Sequence, residues 1–102
     1  MPVAEKLKKN KSLSKKINTY KAQVSVTLKK SVFDPQGKTV LDALHSLGFK
    51  EAQALRVGKF FDLRLFAKNQ REAEVKVKTM CEKLLINPVI EEYQFQIEEI
   101  KS

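Results

Sequence analysis

The sequence predicts an α+β domain: a ferredoxin-like βαββαβ sandwich with two helices on one face of a four-stranded antiparallel sheet. Three observations predict it. Four stretches carry apolar residues at period two, two carry them at helical spacing, and they follow one another in the order β-α-β-β-α-β. Two crossover connections, right-handed as nearly all are, place both helices on the same side of the sheet and leave the other side bare.

The first strand is expected over residues 20–29. Ala22, Val24, Val26 and Leu28 point one way and Lys21, Gln23, Ser25 and Thr27 the other, the pattern of a half-buried strand rich in β-branched residues. Asp34-Pro35 then opens a helix. Asp accepts from the free amides at the helix start, and Pro fits the first helical position, where no donor is needed. Val40, Leu41, Ala43, Leu44 and Leu47 recur at helical spacing, and Gly48 supplies the left-handed stop. Leu55 and Val57 alternate in a short second strand, and Phe61, Leu63 and Leu65 in a third. Gly58-Lys59 between them suits a tight hairpin turn, the alternative being one long strand bent at Gly58. Asn69 and Glu72 stand at the spacing of a helix cap and its reciprocal partner. Ala73, Val77, Met80, Cys81, Leu84 and Leu85 form the apolar face of the second helix, which Asn87-Pro88 ends. Tyr93, Phe95 and Ile97 alternate with Gln and Glu in a final strand.

With 102 residues the chain is one domain. A boundary falls near Thr19: residues 1–19 hold six lysines against one glutamate, a net of +5, and read as a solvated, flexible arm ahead of a domain over 20–102. Of the formal charge of +8, only +3 therefore belongs to the domain. At 42% hydrophobic residues it has material for a core, but a domain this small leaves much apolar surface uncovered, and subunit association is a common remedy. No apolar run reaches the roughly 18 residues of a membrane span. The N-terminus lacks the apolar centre of a secretory signal, so a cytoplasmic location is expected.

Chemistry is sparse. The only cysteine and the only histidine are Cys81 and His45. Cys81 falls on the apolar face of a helix and reads as an inert packed thiol. His45 reads as a partly exposed helix residue, and nothing local brings it to Cys81. No metal-ligand spacing and no Gly-rich phosphate loop occurs. The expectation is no catalytic residue, no metal and no cofactor in this chain. Nucleic acid is the main alternative partner, since the RNA-recognition module shares this topology and stacks bases on its open sheet face. Phe60 and Phe66 would lie there with Asp62 and Arg64, but so would Glu92, Gln94 and Gln96, which do not attract phosphate. A small-molecule regulatory module is a weaker alternative. An open face mixing aromatics with neutral polar groups suits a protein partner better.

Five motifs add a family. Residues 20–29 (Tyr20-Lys21-Ala22 and the Val-x-Val-Thr-Leu-Lys run from Val24), Asp34-Pro35-Gln36-Gly37-Lys38, Leu44-x-x-Leu47-Gly48-Phe49, Arg56-Val57-Gly58-Lys59-Phe60 and the run from Cys81 to Glu91 stand in order over about 80 residues. Together they resemble the PurS family, the small subunit of phosphoribosylformylglycinamidine synthase in purine biosynthesis. The arm is extra to that resemblance. The resemblance implies a subunit without a reaction centre that bridges a glutaminase (PurQ) and an ATP- and magnesium-dependent synthase (PurL), supports ammonia transfer between them, and self-associates as a dimer or a dimer of dimers. Within it, Arg56, Gly58, Lys59 and Phe60 are the expected partner contacts: Gly58 permits close backbone approach, and Arg56 and Lys59 offer charged hydrogen bonds. The same stretch also fits a plain turn with solvated charges.

Overall fold

The computed structural model describes residues 17–101; of the expected lysine-rich arm, residues 1–16 lie outside that range. The elements are β1 (Asn18–Leu28), α1 (Pro35–Ser46), β2 (Gly58–Ala67), α2 (Gln70–Met80), continued by a π-helical turn over Cys81–Leu85, and β3 (Glu91–Ile100). The α+β class holds, with two helices and an antiparallel sheet.

The long alternating run of β1 takes the centre of the sheet, in the order β2-β1-β3, antiparallel to both neighbours. Val24 stands opposite Phe61 on one side and Phe95 on the other, and Ala22 opposite Leu63 and Ile97. These residues share one face, as period two requires. On β1 that face is fully buried at Ala22, Val24 and Val26. α2 covers it with Ala73 and Val77, the π-helical turn adds Cys81, and Phe61, Leu63, Met80, Tyr93, Phe95 and Ile97 pack around this centre.

The start of α2 follows its capping signal. The Asn69 side chain accepts from the Glu72 amide at 2.8 Å, and the Glu72 carboxylate accepts from the Lys68 amide at 3.1 Å. The Lys68 amide and then the neighbouring Lys76 ammonium hold the Glu72 carboxyl below its ordinary range.

Two expectations are corrected. The sheet has three strands among the described residues, not four. Leu55 and Val57 form no strand, and Gly58 opens β2 instead of turning a hairpin. The reason is where the backbone finds a partner: the Val57 amide donates to the Asp34 carboxylate at 2.8 Å, so a side chain takes the place of a ladder. The second correction concerns the helices. Only α2 packs on the sheet; α1 does not. Its one buried residue is Gly37, which lies against the 55–57 segment, not a strand. The apolar stripe of α1 is present in the sequence, yet Val40 and Leu47 are exposed.

Candidate docking surface

Two regions carry the residues singled out in the sequence. The first is the junction where the chain enters α1 and later enters β2. Asp34 caps α1 with one carboxylate oxygen, which accepts from the Gly37 amide at 2.9 Å, while the other accepts from Val57. These amides, Val57 first, and the adjacent Arg56 cation hold the buried Asp34 carboxyl below the ordinary aspartate range. Arg56 reaches back over the loop that follows β1. One of its guanidinium nitrogens donates to the carbonyls of Leu28 and Lys29 at 3.1 and 3.0 Å, with Val32 at 3.4 Å. A side chain on Gly37 would meet the Asp34 carboxylate and come within 2.7 Å of the Leu55 carbonyl. A side chain on Gly58 would run into the Val26 carbonyl. Both glycines are there because two pieces of backbone pass too closely for a Cβ.

The second region is the bare face of the sheet. Ordered across the strands, it shows Phe60, Ser25 and Gln94; Asp62, Gln23 and Gln96; Arg64, Lys21 and Glu98; Phe66, Thr19 and Ile100. Phe60 is 58% exposed there. A shallow depression of about 690 Å³ is lined in part by Gln23, Ser25, Phe60, Gln94 and Gln96. Aromatic rings and neutral amides in one patch match the composition of protein interfaces.

The four expected contact residues thus divide. Arg56 holds its own loop with one guanidinium nitrogen, and Gly58 accommodates its own neighbouring strand. Lys59 lies on the covered face, 3.4 Å from the Glu91 carboxylate and 5.9 Å from the Phe61 ring centre. Glu91 also accepts from the Asn87 amide at 2.7 Å, and that bond, more than Lys59, lowers its carboxyl. Phe60 points outward from the sheet.

A further exposed apolar group comprises Phe33, Val40, Leu47 and Phe49 around α1, and Leu84 and Val89 beyond α2; the sequence places Val40, Leu47 and Leu84 on apolar helix faces, and Leu84 is exposed instead, in the π-helical turn that follows α2. The stripe on α1 was readable, but a stripe does not say whether the chain's own sheet will cover it.

Among the described residues no group of three or more His, Cys, Asp or Glu side chains could hold a metal. Cys81 is fully buried, and burial pushes its thiol up, away from the reactive thiolate. His45 hydrogen-bonds the Ala52 carbonyl at 2.6 Å, closing the turn after α1. No helix among the described residues is long and apolar enough to cross a membrane.

A sheet with one bare face, a helix with an uncovered stripe and no assembled reaction centre among the described residues define a small docking module. The comparisons with known proteins place it. Residues 21–99 match the family model PurS: Phosphoribosylformylglycinamidine (FGAM) synthase. The PurS subunit of Bacillus subtilis is 51% identical over 81 residues, covering 79% of this chain and 95% of that protein. The crystal structure of Methanocaldococcus jannaschii PurS superposes with a TM-score of 0.73 at 39% identity, covering 80% of this chain and 99% of that one. A chain in the structure of PurLQS from Thermotoga maritima superposes at 0.71 with 35% identity, covering 80% and 98%. The chain belongs to the PurS family and is a subunit of phosphoribosylformylglycinamidine synthase, a ligase of purine biosynthesis.

Proposed function

We propose that this chain is the bridging subunit of that synthase. It holds a PurQ-type glutaminase and a PurL-type ATP-dependent synthase in register, so that ammonia released by the first reaches the second. The observation that carries the reading is the pairing of uncovered apolar surface, on α1 and on the bare sheet face, with a thiol buried in the core and an imidazole held on the Ala52 carbonyl. The PurLQS structure from Thermotoga maritima, with a chain of this fold in it, supports the same partners.

The physical task is geometric. Ammonia released into bulk water is protonated and ceases to be a nucleophile. A rigid module that fixes two larger subunits shortens the path and keeps water out of it. ATP and magnesium serve the synthase subunit, and this chain carries neither. Phe60 contributes direct contact from the bare face and Lys59 from the other side of the same strand; Gly58 and Arg56 act by fixing the shape of the junction that presents them. The matched module over 20–102 does this work, residues 1–19 are an extension to it, and the assembly operates in the cytoplasm as a dimer or a dimer of dimers. The ferredoxin-like frame is kept in three strands, and the place of its fourth is the free edge of β2, which assembly fills. Nucleic-acid binding is disfavoured by Glu92, Glu98 and the glutamines of the bare face.

The test is co-purification. A tagged version of the chain is expected to retain both large subunits through gel filtration while showing no synthase turnover alone. Failure to retain either subunit would overturn the proposal.

A further inference from the structure

Because α1 stands off the sheet, a cleft opens between the loop after β1, the first turns of α1 and the segment ahead of β2, enclosing about 420 Å³. Its apolar wall includes Phe33, Leu41 and Leu55. Leu41 and Leu55 carry the apolar signals of a helix stripe and a strand, yet both stay only half-buried, and Phe33 is 69% exposed. Its charged lining is Lys30, Lys38 and Arg56 against a single carboxylate, Asp34. That carboxylate is turned inward, one oxygen on the Gly37 amide and the other on the Val57 amide. Lys38 is paired with Asp42 at 2.9 Å, whereas Lys30 forms no ion pair among the described residues.

Arg56 gives the cleft its chemistry. Its Nη2 is tied to the carbonyls of Leu28, Lys29 and Val32, while Nε and Nη1 make no hydrogen bond among the described residues. An arginine loose in water loses rotamer freedom when it takes a carboxylate. Here the anchored nitrogen has already fixed the side chain, so the remaining donors wait in a set place. Guanidinium donors suit a planar carboxylate. The apolar wall narrows the choice further. A phosphate group gains nothing from Phe33, Leu41 and Leu55. A peptide segment with a large apolar side chain next to an Asp or Glu satisfies both the wall and the cations.

We propose that this cleft docks a short acidic segment of one of the two large subunits, its apolar side chain seated against Phe33, Leu41 and Leu55 and its carboxylate on Arg56 and Lys30. The inference deepens the bridging reading above and rests on it. The occupant follows from complementarity, since cations outnumber carboxylates three to one along the lining and the one carboxylate faces away from the opening. Arg56 then has two tasks: one nitrogen shapes the loop, and the others receive the partner. The cleft shares no lining residue with the depression on the bare sheet face. The chain thus offers two separate surfaces, as a bridge between two subunits requires.

Two exposed lining residues test this without disturbing the fold, and an unchanged Tm checks that each variant is folded. In the reconstituted assembly, Lys30→Glu is expected to weaken binding of one large subunit about 10-fold and Phe33→Glu about 100-fold, with the other subunit retained. Lys83→Glu, the same charge change away from the cleft, is expected to leave both bound. A water-soluble carbodiimide, which joins an amine to a carboxylate in contact with it, is expected to link Lys30 to an Asp or Glu of that subunit beside a large apolar residue, as read by peptide mass spectrometry. Reversing the linked carboxylate to Lys in the partner is expected to restore binding of Lys30→Glu. Unchanged binding by both variants, with no such cross-link, would overturn the cleft as a docking site and leave the bridging reading intact. An unaltered chain that retains neither large subunit would overturn both. A cross-link from Lys30 to a second copy, with both large subunits still bound by the variants, would assign the cleft to contacts between copies and refute this docking.

Discussion

Substituting Val77→Ala and Leu47→Ala separately tests how the two helices differ. Both sit on apolar helix stripes that the sequence marks as core. In the structure Val77 is fully buried beneath α2, whereas Leu47, at the end of α1, is 73% exposed. Val77→Ala removes two methyl groups from packed surroundings. At about 0.8 kcal/mol per buried carbon, with a further contribution from the cavity left behind, the loss is about 2 kcal/mol. For a domain of this size that lowers Tm by roughly 8–15 °C. Leu47→Ala removes more carbon, yet its side chain already stands mostly in water, so the change is expected within about 0.5 kcal/mol. Thermal and urea unfolding of the isolated chain, at one fixed protein concentration, reads both. If α1 lay on the sheet as the sequence pattern alone implies, Leu47→Ala would cost about 2–5 kcal/mol. A loss as large as that of Val77→Ala would refute the placement of α1.

Arg56→Ala is expected to loosen the loop after β1, seen as faster amide exchange around Val32, whereas Phe60→Ala leaves exchange and Tm unchanged and weakens retention of the large subunits. Gly58→Val forces a side chain against the Val26 carbonyl and is expected to cost stability by moving the start of β2, measured by urea unfolding. The Asp34 carboxyl is held below its ordinary value near 3.8. Its contribution is therefore complete above that pH and disappears as pH falls through the lowered folded value. Asp34→Asn is expected to flatten the acid limb of the stability profile, where the unaltered chain loses stability as pH falls below the ordinary aspartate range.

The elements themselves were legible because their signals are local. The alternation over residues 20–29 falls on β1, which begins two residues earlier and ends at Leu28, Asp34-Pro35 marks the start of α1, and Asn69 with Glu72 marks the start of α2. The split of the sheet into a packed face and a bare face followed from parity alone, and Phe60 and Phe66 fell where expected. What local pattern did not contain was the competition for backbone partners. The Val57 amide had a carboxylate 23 residues away to bond, so the short second strand did not form. Without that strand, α1 had no fourth position to cover. Arg56 shows the same limit at the candidate site. An exposed arginine beside a glycine reads as a partner contact, and only the folded loop reveals that one of its guanidinium nitrogens also bonds the backbone carbonyls of its own loop.

The uncovered surfaces have one common consequence. Phe33, Phe49, Leu47 and Phe60 would all be poor choices for an isolated domain, since large apolar groups in water contribute nothing to its stability. They make sense as the material of an assembly. The chain's own core needs only β1, α2 and the inner sides of β2 and β3, and the remainder is available to larger subunits and to a second copy.

The most direct measurement compares ammonia with glutamine as the nitrogen source for the reconstituted synthase and glutaminase subunits, with and without this chain. The account predicts that ammonia-driven amidine formation proceeds at a similar rate either way, while glutamine-driven formation requires the chain. Equal glutamine-driven rates in its absence, or turnover by the chain alone, would contradict it.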